Sequence, residues 1–522
     1  MYNFAGQNRR RTNMTKRIIS GVLALASAFA LCACGAQKEK AQEEITLKWI
    51  LSGAGKQADS DEVWSEFNKK LGEYMPGVHV EFEAISINDY AEKWKIMSAA
   101  GEEADIAWEG WVNDLEQEIG KGSFMPIDSL MAKYAPGLYE SMPEWVWNGV
   151  TYDGKIYAVP NYQMMVNRPV AIRTPKALAD QYMDKEKMER VFKNYRENCE
   201  KGRIPEECFD ALGEYMQNLK DAGKLGLGLT PEISGWLNGG TVEGVYVSKK
   251  DGRVVAQNRF DFPETEIKYK KLAEFYQKGF IRANALSVQD FKTDIGADGG
   301  YTLWVHNYDD YTEAEEELYY GFPVELIRVS EGNTIPWIVN ATNTVIPSTS
   351  KHPDKAMELI GLINSERGKE LYNLLVYGIE GKHYVKTGED SVRTLDYNGT
   401  PGVESKYGVA PHFIGNTFNA YASQVSVPGY NEYIENVLHK NARYSMLYGF
   451  KFSSKDIRGE LAQIESINDE YVGLEYGVYP DYKQKLNEMK EKLKKAGIDK
   501  VIGELQRQLD EQINNKQGGQ NQ

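Results

Sequence analysis

Ile45-Thr46-Leu47-Lys48-Trp49-Ile50-Leu51, followed by Ser52-Gly53-Ala54-Gly55, is the stretch from which the class of fold can be read. Ile45, Leu47, Trp49 and Leu51 alternate, which predicts a strand, and the glycine-rich tetrapeptide breaks it. A helix is expected next. Asp59 with Glu62 three residues on reads as a capping box, Val63, Trp64, Phe67, Leu71 and Tyr74 share one face, and Pro76-Gly77 stops it. Val78, Val80, Phe82 and Ala84 alternate as a second strand. Tyr90, Trp94 and Met97 recur at helical spacing before Gly101, and Asp105-Ile106-Ala107-Trp108 reads as a short third strand. Strand, helix, strand, helix, strand predicts an open α/β sheet. Ligands of such sheets bind outside the carboxyl ends of the strands, so the loops after Leu51 and after Ala107 are where chemistry is expected.

Downstream, the Asp153-Gly154 turn feeds a strand that stops at Pro160, and the first crossing between lobes is placed there. Pro175 to Gly223 is helical and charge-rich, and Leu225 to Leu229 returns to strand. Val245-Tyr246-Val247 and Val254-Val255 flank Lys250-Asp251-Gly252 as a hairpin, and Tyr301 to Val305 is a strand ending in His306-Asn307. These patterns describe a second α/β lobe. Thr334 to Asn343 forms a second extended crossing, after which Pro353 to Leu375 supplies helices. Leu486, Met489 and Leu493, then Val501, Ile502, Leu505, Leu509 and Ile513, mark two amphipathic helices packed on the body. The expected division is 45–160 and 336–385 for lobe 1, 161–335 and 386–480 for lobe 2, 481–515 for the C-terminal helices and 516–522 for a disordered tail.

Upstream, Lys16-Arg17, an apolar run from Ile18 to Leu31 and small residues thereafter read as a secretory signal peptide over 1–34. The run is shorter than the roughly twenty residues a membrane span needs. Met14 opens a signal of normal length, so 1–13 reads as an upstream mis-start or an extended leader. Residues 35–44 are small and charged, as in a flexible tether. The formal net charge is −15 although the leader carries only basic charges, so the exported part is more acidic still. That balance argues against nucleic acid or anionic lipid as a partner. Outside the leader only Cys199 and Cys208 remain, either as a disulfide or as a reduced buried pair. The six histidines lack metal-ligand spacing, so neither a metal nor a cofactor is expected.

Several stretches resemble a known family. Leu31-Cys32-Ala33-Cys34 resembles the lipobox of bacterial lipoproteins, in which Cys34 would be acylated and tether the chain to the outer face of the cell membrane; two or more acyl chains anchor stably where one does not. Gly101-Glu102-Glu103-Ala104-Asp105-Ile106, Asp153-Gly154-Lys155-Ile156-Tyr157-Ala158-Val159-Pro160, and Asn343-Thr344-Val345-Ile346-Pro347 with Lys351-His352-Pro353-Asp354-Lys355-Ala356 resemble the family 1 extracellular solute-binding proteins of carbohydrate ABC importers. Tyr377 to Tyr384 and Ala496 to Ile502 are similar to a large-lipoprotein subgroup with an added C-terminal region, often linked to complex oligosaccharides. The resemblance implies a two-lobed α/β fold of the periplasmic-binding-protein-like kind (type II), a hinge of two or three crossings, a sugar in the cleft and permease subunits as partners. It assigns no contact residues.

A sugar presents apolar C–H faces ringed by hydroxyls, and its site needs flat aromatic rings beside side chains with paired donors and acceptors. The 33 Tyr and 10 Trp against 17 Phe suit a half-wet cleft. Position along the expected strands selects Trp108, Trp111, Trp236 and Trp304, with Glu109 and Asn238 as polar contacts. Asn161, Tyr162, Trp337 and Asn340 lie on the crossings, where a hinge role competes with ligand contact. Four other classes make different demands on the sequence. A peptide or other polar solute would call for a charged clamp in place of stacked rings. Gly53-Ala54-Gly55-Lys56-Gln57-Ala58 fits a dinucleotide fingerprint, but export removes such cofactors, and Gln57 stands where a phosphate loop needs Ser or Thr. A glycoside hydrolase would need two opposed carboxylates, and no hydrolase signature is present. A surface adhesin would tolerate the anchor but gives no reason for two crossings.

Overall fold

The computed structural model describes residues 44–514, apart from 231–232, 237–240, 243–244, 289–293, 296–298, 337–341 and 396–404. Cys34, the tether, the tail, Asn238, Trp337 and Asn340 lie outside the described residues. Strand β1 (Ile45–Gly53), helix α1 (Ser60–Tyr74), strand β2 (Val78–Ser86), helix α2 (Ile87–Ala100) and strand β3 (Ile106–Gly110) follow the expected order. β1 pairs in parallel with β2 and with β3, and the sheet is completed by Thr342–Val345, antiparallel to β3, and by Ala158–Pro160. Trp49, Trp64 and Phe67 all pack on the Phe82 ring, at 5.6, 5.5 and 5.2 Å, so the alternating residues of β1 and β2 meet the apolar face of α1.

Two expectations about these elements are corrected. Asp59 makes no cap bond to α1; its carboxylate instead holds Lys382 Nζ at 2.8 Å and His383 Nε2 at 3.2 Å, and the Lys382 bond keeps the acid below its ordinary range. β3 runs beyond Trp108 to Gly110, because Trp108, Glu109 and Gly110 find partners in Thr344, Asn343 and Thr342. That pairing turns what reads as loop into strand. The buried Asp105 carboxylate explains why two distant motifs belong together. Its oxygens accept from Lys48 N–H at 2.9 Å, Ser350 Oγ at 2.6 Å and Lys351 N–H at 3.2 Å, which clamps the Gly101–Ile106 segment to the turn ahead of helix Pro353–Ile363.

The second sheet runs Val324–Arg328, Val170–Pro175, Tyr301–Asn307, Gly228–Leu229. Two separate apolar cores result, one around Leu47, Phe67, Ile106, Val159, Val345 and Leu371, the other around Ile172, Phe209, Leu272, Leu303, Leu493 and Leu505. Tyr407, Phe413, Ile414, Ile434 and Leu438 belong to the first core, whereas 386–480 was expected in the second lobe; the chain enters the second core only at Leu447. Residues 405–440 are largely irregular, with 3₁₀ turns at Pro411–Phe413 and Thr417–Asn419, a short helix, Tyr430–Tyr433, and a π-helical turn, Ile434–His439, so no period in the sequence betrays which core they fill. The C-terminal helices Tyr482–Lys495 and Ile498–Leu509 pack on the second core. Cys199 and Cys208 are free thiols, and the Cys208 thiol points at the Val191 carbonyl.

Three segments join the cores. Asn167 bridges Thr334, and Thr334–Ile335 pairs in parallel with Arg443–Tyr444. His439 ties the first segment to the third. Its Nε2 accepts the Met165 N–H at 3.2 Å, which leaves Nδ1 to donate to the Tyr162 hydroxyl at 2.9 Å. The bond to Met165 requires Nε2 to be unprotonated, and burial pushes the ring's pKa down to about 4 from 6.5. The stabilisation is therefore complete above pH 6.5 and is lost as pH falls towards 4. Between those values the wild type should lose about 2–3 kcal/mol that His439→Gln does not, as read from denaturation curves taken at a series of pH values. Parallel curves for the two proteins would contradict it.

Candidate functional site

The carboxyl ends of β1 and β3 and of Ala158–Pro160 open on one edge of the first sheet, and three later segments are built onto it. Gly53 and Gly55 leave β1 with positive φ, and the Phe413 ring lies 3.4 Å from where a Cβ on Gly53 would stand. An aromatic side chain thus occupies the approach to the glycine-rich loop. At the end of β3, Gly110 has no room for a side chain, since a Cβ there would fall 2.3 Å from Trp108 Cζ2. Trp108 turns back under the loop, and Trp111 stands over it.

Trp111 is 59% exposed and packs edge-on against Trp108 at 5.4 Å, with Phe413 at 5.8 Å and His412 at 5.9 Å. This is a supported ring with a free face. Burial holds His412 below its ordinary pKa, so the ring is a neutral donor and acceptor beside the indole. The half-buried Gln163 donates to the Thr342 hydroxyl at 2.8 Å on the same edge. Behind this floor the Glu109 carboxyl accepts from Asn343 Nδ2 at 2.7 Å, and burial, reinforced by Asp114 and Glu118, pushes its pKa up to about 8. Glu109 is therefore a neutral acid at pH 7, unsuited to act as a nucleophile or a charged clamp.

The other residues selected from the sequence are distributed unevenly. Trp108, Glu109, Asn161 and Tyr162 are buried on this edge instead of lining an open surface. Trp108 and Glu109 are held inside by the extension of β3. Asn161 donates to the His412 carbonyl at 2.8 Å and accepts from the Thr344 hydroxyl at 2.9 Å, while Tyr162 is taken up by His439. Trp304 is buried far along the chain in a small cluster of the second sheet with Tyr301, Val324 and Tyr320, and is not brought to Trp111. Trp236 ends the short helix Ile233–Trp236 after strand Gly228–Leu229; its side chain lies outside the described residues. His412, Phe413 and Gln163 were not selected. The two aromatics lie some three hundred residues after Trp111, and nothing local marks them.

A profile for bacterial extracellular solute-binding proteins matches residues 57–370, and a domain of unknown function, DUF3502, matches 446–514. A carbohydrate ABC transporter substrate-binding protein from Streptococcus pneumoniae serotype 4 is 26% identical over 95% of this chain and 98% of its own length. The N-glycan transport solute-binding protein NgtS of Streptococcus pneumoniae shares the fold with a TM-score of 0.71 at 22% identity, covering 90% of this chain and all of the other. Its complex with Man5GlcNAc gives 0.64, and FusA of the same species with kestose gives 0.57 at 16% identity. Both share the two-lobed fold. Among the described residues no helix is long and apolar enough to cross a membrane. The profile spans more than half of the chain, which belongs to the bacterial extracellular solute-binding proteins, an extracytoplasmic family of binding proteins and not of enzymes.

Proposed function

We propose that this chain captures a sugar or oligosaccharide between its two lobes and delivers it to the permease subunits of an ABC importer, held at the outer face of the membrane by lipid on Cys34. Trp111 carries this reading: a half-exposed indole backed by Trp108, His412 and Phe413 is the flat apolar platform that a sugar's C–H face requires, and Gln163 and His412 bring donors and acceptors beside it. Trp108, Glu109, Asn161 and Tyr162 act from behind that platform. Trp236, Asn238, Trp337 and Asn340 remain proposed contacts from the second lobe and the crossing, and Trp304 a proposed support there. Binding shifts the lobes from open to closed, and the permease reads that geometry.

Thermal melting and solution scattering with Man5GlcNAc and with kestose test the proposal. A bound glycan raises the melting temperature and compacts the protein, whereas release of shorter sugars on incubation would mark a hydrolase. Trp111→Ala should weaken the responding glycan about tenfold or more while lowering the melting temperature of the free protein by only a few degrees, since more than half of the ring is exposed. Unchanged affinity in that variant would remove the platform from the site. Cys34→Ala should release the protein from membranes into the medium.

A further inference from the structure

The third joining segment ends in side chains that the platform around Trp111 does not use. Tyr444 is 59% exposed although it sits on the strand pair of the hinge, and its ring lies 4.4 Å from that of Tyr448 at a tilt of 49°. Met446 between them is also exposed. Tyr448 packs on the first core and its hydroxyl accepts from Asn148 Nδ2, while its neighbours Leu447 and Phe450 enter the second core. Lys451 reaches across the same gap. Its Nζ donates to the Asn148 carbonyl at 3.2 Å and lies 4.1 Å from the centre of the Tyr152 ring. Glu116, whose charge acts on Lys451, belongs to helix α3 (Leu115–Lys121), which follows the Trp111 loop, and among the described residues no carboxylate comes within ion-pair distance of Lys451. A half-buried ammonium, an amide and two tyrosine rings thus gather near Glu116, on the helix that follows the Trp111 loop.

The segment is held from behind by the C-terminal helices. Gln512 accepts from Lys451 N–H at 3.0 Å and donates to the Lys451 carbonyl at 2.7 Å; Gln508, one turn earlier, does the same for Ser453, at 2.9 and 2.8 Å. Two glutamine amides on one helix face act as a partner strand for an otherwise unpaired backbone. What the arrangement adds is a fixed position for the rings ahead of it.

We propose that Arg443–Lys451, buttressed by the C-terminal domain, is a second saccharide subsite at the rim of the cleft, in which Tyr444 and Tyr448 cradle a sugar ring and Asn148 and Lys451 bind its hydroxyls. It takes the far end of an oligosaccharide whose near end lies on Trp111, and so rests on the function proposed above. The subsite makes affinity depend on chain length, and it gives the domain of unknown function a role in ligand selection.

Calorimetric titration of the full chain with Man1GlcNAc and Man5GlcNAc tests this. Tyr444→Ala should weaken Man5GlcNAc about tenfold and leave Man1GlcNAc within about twofold, and Tyr444→Phe should keep both, since the ring face is retained. Lys451→Met, which keeps the stem, should weaken only the longer glycan. Equal losses for both glycans, or none for either, would overturn the rim subsite while leaving the oligosaccharide reading in place. Failure of the unaltered protein to bind either glycan would instead overturn both for this ligand class.

Discussion

Asp309→Ala is expected to cost about 3–5 kcal/mol of folding stability, because it strands a buried guanidinium. Asp309 accepts from Arg168 Nη1 at 2.6 Å, from the Tyr430 hydroxyl at 2.9 Å and from Tyr311 N–H at 2.9 Å. Arg168 lies on the first joining segment, Asp309 follows strand Tyr301–Asn307 of the second sheet, and Tyr430 packs on the first core. One carboxylate therefore ties a hinge segment to both lobes. Tyr311 adds ring contacts to Tyr430 and Tyr433 at 5.3 and 4.7 Å, and burial together with Asp309 lifts Glu315 to about 7. Glu315, the carboxyl that acts on the same guanidinium, is about half protonated at pH 7 and compensates for Asp309 only in part. Replacing both partners, as in Arg168→Met with Asp309→Leu, should recover more than half of the loss, since no charge is then left unpaired. Denaturant titration at pH 7 reads both quantities, and a single-variant cost below about 1 kcal/mol would show that water already reaches the pair.

Glu109→Gln is expected to stabilise the protein at pH 8 by on the order of 3–5 kcal/mol and to flatten its pH dependence. A carboxyl at about 8 in the folded chain and 4.5 in the unfolded chain keeps its proton on folding across the interval between them. The native state then binds the extra proton, so stability is full below about pH 4.5 and declines as pH rises to 8. Glutamine has no proton to lose, accepts from Asn343 Nδ2 as the acid does, and can donate to Asn343 Oδ1, which is buried without a partner. Unfolding curves from pH 5 to 8 should diverge steadily between the two proteins. Curves that stay parallel would place the Glu109 carboxylate in contact with water.

Read residue by residue, the sequence was most informative where burial is periodic. α1, β2 and α2 bury alternate or every third and fourth side chain, β1 is buried continuously from Trp49 onward, and the Asp153-Gly154 and Asp251-Gly252 turns carry their own backbone requirement, with φ positive at all four residues. It misled at the end of β3. Whether Trp108 and Glu109 lie in strand or loop is settled by Thr342–Val345, more than two hundred residues away. Burial of the two side chains follows from that partner and from nothing adjacent to them.

From its own order of residues this chain determined its class of fold and its family likeness, because each depends on local period or on short motifs with an internal cause such as the Asp105 clamp. Tertiary structure decided which aromatics share an edge. His412 and Phe413 reach Trp111, and Tyr448 and Lys451 reach Asn148, only through chain reversals between two cores. Side chains so remote in sequence are joined by packing and hydrogen bonds, interactions that act over a few ångströms of space and leave no period along the chain.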